Sequence, residues 1–318
     1  MIPLRAMRRV FIGRNGLRAG WRLCIFAALF AGLTFVSTAL AIRAFHLHRI
    51  AGPLPPWFGL VADSLVLVPL ALAALIMARI ERRSIDAYGL PRRGAFGSRF
   101  WSGAALGFAS LSAVIAVLVA THALRLAPSG VPASALVGAA LLYGLSFLAV
   151  GLTEEFLFRG YAQTTLAQGI GFWPAAGLLS LGFAATHADN HGENLIGVLQ
   201  IVVYGMVFCY ALWRTGTLWL AVGYHAAWDW AQTFVYGVPD SGALGTVSLL
   251  HATLAGPAWL SGGSAGPEGS VVTTLMLLAL VPIVDRLPHV RNVRARDRGG
   301  IGLDDAMPHP EQPREERA

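Results

Sequence analysis

Read along its length, the chain is a succession of apolar runs separated by short polar interruptions. Runs close to the roughly 17 to 25 residues needed to cross a bilayer cover Trp21–Ile42, Trp57–Met77, Phe100–Leu124, Ser134–Leu152, Trp173–Thr186, Leu195–Trp213, Leu218–Val235 and Val271–Asp285. The pattern predicts an all-α fold, a polytopic membrane helix bundle of about eight transmembrane helices with the fifth short. Between the runs, Glu81–Arg99 reads as a polar interfacial connector, and the Gly/Ser/Pro-rich Ser261–Ser270 reads as an external loop. Beyond Pro288 the chain is charged and poor in apolar residues, the composition of a disordered tail. The expected organisation is therefore 1–99, two transmembrane helices and a connector; 100–236, the functional core; 237–287, an external loop and the last helix; and 288–318, a cytoplasmic tail. The first two helices and the last read as blandly apolar, and no internal repeat points to an inverted-repeat transporter.

Composition agrees with the pattern. Of 318 residues 55% are hydrophobic and 13% charged, and the mean hydropathy is +0.59, outside the range of a soluble domain. The net charge of +7 is carried by arginine alone among the basic residues, clustered at Arg5 to Arg22, Arg79 to Arg99 and Arg286 to Arg298. By the positive-inside rule these groups face the cytoplasm, which an even number of spans permits with both termini inside a bacterial cell membrane. The charge thus reads as topology and contact with the lipid bilayer, and no aromatic-interleaved basic surface supports a nucleic-acid partner. Cys24 and Cys209 fall inside predicted spans, which argues for packing rather than a disulfide or a cysteine metal cluster.

Against this background one hexapeptide stands out: Glu154-Glu155-Phe156-Leu157-Phe158-Arg159. An ionisable side chain at membrane depth costs about 2.5 to 3.5 kcal/mol even on lenient scales, so it needs a partner or a task. Residues four apart share a helix face, so Glu155 and Arg159 can pair while Glu154 is turned about 100° away and left free. The same spacing relates Phe183 to His187 on the fifth helix and His225 to Asp229 on the seventh. If the fourth helix continues to about Gln168 and reverses near Gly169–Gly171, Glu154 and His187 lie level, ~25 Å from the turn at helical rise. For straight mirrored helices His225 is offset from them by ~15 Å, a gap that tilt or an unwound segment must close. His122, His251, His289 and His309 stand alone, whereas His191, in the polar run Asp189–Asn194, is close enough to His187 to line a cavity.

The chemistry open to such a cluster is hydrolysis: a carboxylate takes a proton from water while imidazoles hold a metal or hydrogen-bond a developing oxyanion. Glu154, His187 and His225 also form a ligand set for zinc or another divalent metal with an open position. The His-Glu-x-x-His helix of soluble zinc proteases is absent, so local spacing does not itself imply a metal.

The order Glu154-Glu155-x-x-x-Arg159, Phe183-x-x-x-His187, His225-x-x-x-Asp229 resembles the CPBP family, the CAAX prenyl endopeptidases and bacteriocin-processing (Abi) proteins, over about Trp101 to Tyr236. The resemblance implies an intramembrane endopeptidase acting on a membrane-anchored, CAAX-like prenylated or other protein or peptide. It implies that Glu154 activates water, that His187 acts on that water or ligates a metal, that His225 with Asp229 stabilises the oxyanion, and that Glu155 and Arg159 hold the pocket in shape. The family commonly has asparagine where this chain has Asp229, and a negative charge there needs a proton, a metal or a partner. Two other readings remain open at this point: a non-catalytic membrane peptide-binding or bacteriocin-immunity protein, and a proton-coupled transporter.

Overall fold

A computed structural model describes residues 11–13, 16–45 and 55–287. Among them run eight apolar helical segments: α1 (Ala19–Phe45), α2 (Pro56–Glu81), α3 (Ser98–Ala120), α4 (Ala133–Ile170), α5 (Phe172–His187), α6 (Leu195–Thr215), α7 (Trp219–Trp230, prolonged by a π-helical turn Ala231–Tyr236) and α8 (Val271–Asp285). The first four and α6 are long and apolar enough to cross a membrane, and α8 is a shorter apolar helix. The protein is an all-α membrane helix bundle. The expected tail from 288 onward lies outside the described residues.

Local chemistry sets the helix limits. Pro56 opens α2 in the first turn, where its missing N–H costs nothing. Asn194 caps α6 by accepting from the N–H groups of Ile196 and Gly197, and Gly216 ends it in the left-handed region at φ 67°. The fourth helix runs on past Glu155 through the π-helical turn Phe156–Ala162. The third stops four residues short of its expected end at Leu124. His122 turns the chain at φ 58°, and Leu124–Pro128 forms a strand, β1, antiparallel to Leu250–Leu254, β2. The polar pair Thr121-His122 marks the break, which the expected span to Leu124 runs across.

The bundle is held by close approach and by buried polar ties. Helix α3 packs along α7, where a Cβ on Gly103 would stand 2.0 Å from the Leu220 carbonyl oxygen and one on Gly107 2.2 Å from that of Tyr224. This small-xxx-small spacing lets two backbones touch without side chains between them. At the connector end, Arg22 donates to Glu81 (2.8 Å) and Gln168 (2.6 Å), and the Tyr161 hydroxyl donates to Glu81 (2.6 Å). Arg22 is thus not a free headgroup charge but a buried clamp joining α1, α2 and α4. Cys209 is buried as expected, whereas Cys24 lies on the exposed face of α1. At the opposite end the segment 258–270 is folded rather than loose: Ser261, Ala265, Pro267, Gly269 and Ser270 are buried.

Candidate active site

Helix α4 presents two neighbouring glutamates to different surroundings. Glu155 is fully buried, and its Oε1 accepts from Arg159 Nη1 (3.1 Å) and the Tyr204 hydroxyl (2.9 Å) and contacts His225 Nδ1 (3.0 Å). Arg159 completes the ion pair in the expected i, i+4 register, and its Cζ lies 4.2 Å over the Phe183 ring, a cation–π contact. Phe183 therefore contributes a ring face to the guanidinium as well as a helical turn before His187. Glu154 faces the other way, into a cavity of about 580 Å³, with 28% of its side chain exposed.

Both histidines turn Nε2 toward that carboxylate. His187 Nε2 lies 3.9 Å and His225 Nε2 3.6 Å from Glu154 Oε2. Their other nitrogens are fixed from behind: His187 Nδ1 is 2.9 Å from the Phe183 carbonyl oxygen, and His225 Nδ1 meets Glu155. A carbonyl or carboxylate oxygen only accepts, so each Nδ1 carries a proton, and each Nε2 faces the cavity as a lone pair or, where the ring carries a second proton, as a donor. Glu154 Oε2 and the two Nε2 atoms thus converge at separations too long for direct hydrogen bonds and suited to an intervening species. That species must bring hydrogens or positive charge. Water with one imidazole protonated meets the requirement, and so does a divalent metal held by Glu154, His187 and His225.

Asp229 adds a second carboxyl to His225 Nε2, so a proton must lie between the two, on the ring or on the acid. Asp229 is 5% exposed, and its Oδ2 lies 3.3 Å from His225 Nε2. It also approaches Asp240 and Glu268, the three offering ligand oxygens within 4.8 Å of one another. Such an all-oxygen set suits a hard divalent cation rather than zinc.

The structure brings Glu154, His187, His225 and Asp229 together around one cavity and sets Glu155 and Arg159 directly behind them. The 15 Å offset expected for His225 is closed because α7 does not run as the mirror of a straight α6. It crosses α4 at Gly151, where an added Cβ would be 3.2 Å from the Val222 carbonyl oxygen, and the π-helical turn after Glu155 alters the run below it. The cavity is also lined by Asp63, Tyr204, Asp240 and Glu268, none of which the sequence singled out. Asp63 corrects the expectation of a blandly apolar second helix. Tyr204 lies in an apolar run whose pattern carries no sign of its hydroxyl's partner, and Asp240 and Glu268 sit in loops without periodicity. His191 does not line this cavity.

Residues 136–231 match the family model described as type II CAAX prenyl endopeptidase Rce1-like. All six candidate residues fall inside that interval. The match covers less than a third of the chain, and that interval, inside an integral membrane bundle, is similar to proteases of the CAAX kind. Among curated proteins and among solved structures, no relative matches.

Proposed function

We propose that this chain is an intramembrane endopeptidase that hydrolyses a peptide bond in a membrane-tethered protein or peptide, CAAX-like prenylated substrates among them. The observation that carries the reading is the convergence of His187 Nε2 and His225 Nε2 on Glu154 Oε2 at 3.9 and 3.6 Å. Water bridging these atoms loses a proton to Glu154 and attacks the scissile carbonyl, and Glu154 returns the proton to the leaving amine. A protonated His225 Nε2 donates to the developing oxyanion, its ring orientation held by Glu155 and the proton favoured by Asp229. Glu155 and Arg159 act through His225 and Phe183 and do not touch the substrate. A metal bound by Glu154, His187 and His225 would supply Lewis-acid polarisation at the same point.

Residues 100–236 form the functional unit in this reading, with the two preceding helices bracing it. The connector between α2 and α3 carries Arg82, Arg83, Arg92 and Arg93, so this end faces the cytoplasm of a bacterial cell with both termini inside. The cavity runs from Glu154 toward the opposite end, where Pro55, Pro56 and Leu244 to Thr246 line it. Substrate is then engaged from the non-cytoplasmic half of the bilayer.

The test is proteolysis of lipid-anchored and prenylated peptide libraries by the purified protein, with metal content measured on the same samples. Glu154→Gln and His225→Ala are expected to lower kcat by about 10²- to 10⁴-fold. Cleavage by the wild type that survives Glu154→Gln refutes the mechanism. A well-folded wild type that cleaves nothing but binds peptide shifts the reading to a peptide-binding or immunity protein.

A further inference from the structure

Asp63 is a carboxyl group that the hydrolytic scheme leaves unused. It lies on α2, outside the matched interval 136–231, yet lines the same cavity as Glu154, His187 and His225. The Ser146 hydroxyl of α4 donates to its Oδ2. Gly59, one turn earlier, allows this approach, since an added Cβ would stand 3.2 Å from Ser146 Oγ. A carboxylate offers about four acceptor positions, and Ser146 takes one. At membrane depth a carboxylate with capacity to spare calls for a cationic or hydrogen-bonding partner. Among the described residues no arginine lines the cavity: besides Asp63 its acidic and imidazole side chains are Glu154, Asp229, Asp240, Glu268 and the two histidines.

Position gives the subsite its register. Ser146 and Glu154 both face the cavity from α4, and eight residues of helix separate them by about 12 Å. An extended peptide advancing about 3.3 Å per residue covers that distance in three or four residues. We infer that Asp63 and Ser146 form a specificity subsite for a cationic side chain, arginine or lysine, placed three or four residues from the scissile bond. This inference rests on the endopeptidase reading for its register, and on the cavity alone for its charge preference.

The experiment uses the full-length protein and lipid-anchored peptides identical except for Leu, Gln or Arg at each position up to five residues on either side of the cut. The wild type is expected to favour Arg over Leu at one position three or four residues away by about tenfold in kcat/KM, the size of one charge-assisted contact. Asp63→Asn should bring that ratio to about one, and Asp63→Glu should restore part of it. A parallel binding assay on Glu154→Gln protein, with and without Asp63→Asn, reads the same ratio as affinity. A ratio that Asp63→Asn leaves unchanged overturns the subsite, whether or not all rates fall together. A wild type that cleaves no peptide while binding still discriminates in an Asp63-dependent way sinks the protease reading and keeps the subsite.

Discussion

His225 Nδ1 lies 3.0 Å from Glu155 Oε1, so the buried glutamate beside the cavity-facing one sets the tautomer of a histidine on another helix. Two adjacent carboxylates on α4 thereby serve different ends. Glu154 meets the cavity, while Glu155 neutralises Arg159 and orients His225.

The two glutamates should separate in stability measurements. Removing one member of a buried ion pair strands the other charge and typically costs about 3 to 5 kcal/mol. Glu155→Ala should therefore lower the melting temperature markedly in detergent, whereas Glu154→Gln, at a partly exposed site, should leave it nearly unchanged while lowering kcat by about 10²- to 10⁴-fold. Replacing both Glu155 and Arg159 by apolar residues should cost less than the sum of the single changes. Additive losses would show that the pair is not coupled.

The glycines of α3 make a second, geometric prediction. A Cβ on Gly107 would stand 2.2 Å from the Tyr224 carbonyl oxygen, against backbone that cannot rotate away. Gly107→Ala should push α7 from α3, displace His225 and cost about 1 to 3 kcal/mol as overpacking does. Gly138→Ala on α4 meets nothing within 4 Å and should stay within about 0.5 kcal/mol of wild type. Melting curves of both variants, with activity measured alongside, decide it. Equal stability would mean that the two helices are not pressed together.

How much of this site was legible in the sequence follows from where helical spacing operates. Glu155 with Arg159, Phe183 with His187 and His225 with Asp229 each lie within one helix, four residues apart, so their shared faces could be read directly. What joins the three helices could not. Gly103, Gly107, Gly151 and Gly223 look like filler in apolar runs, yet their missing side chains set the crossings that bring His225 to Glu154. Asp63 and Tyr204 were hidden because one polar group in an apolar helix has no period. The β1–β2 ladder was hidden because β1 is only five residues long and its partner Leu250–Leu254 lies more than a hundred residues away in sequence.

Acid groups in the segments outside the membrane-spanning helices predict a pH dependence. Burial holds the Asp240 and Glu268 carboxyls above the ordinary carboxylate range; Glu268 raises Asp240 further, while hydrogen bonds from Ser241 pull Glu268 part of the way back. A carboxyl raised on folding keeps its proton longer in the folded state, so the folded chain binds more protons between the unfolded and folded values. Stability then falls as pH rises from the ordinary carboxylate range through the raised one. Asp240→Asn, which cannot ionise, should flatten that fall and raise the melting temperature more at pH 8 than at pH 5. An identical pH profile in the variant would remove Asp240 from this account. A divalent cation that protects the wild type at pH 8 but not Asp240→Asn would assign the Asp229–Asp240–Glu268 cluster to metal binding.

Sidedness is open to direct measurement, because the cavity's outer lining and the arginine-rich connector lie at opposite ends of the bundle. Leu244 lines the cavity and is 68% exposed, and Arg93 is exposed on the connector. With Cys24 and Cys209 replaced by alanine, a single Leu244→Cys should react with a membrane-impermeant maleimide on intact cells, and a single Arg93→Cys should react only after the membrane is opened. The reverse pattern would place the cavity mouth on the cytoplasmic side, against the positive-inside reading of Arg82, Arg83, Arg92 and Arg93. It would require substrates delivered from the cytoplasm. The expected pattern limits candidate substrates to chains whose scissile bond is presented from the outer half of the bilayer, since Glu154 is reached through that lining.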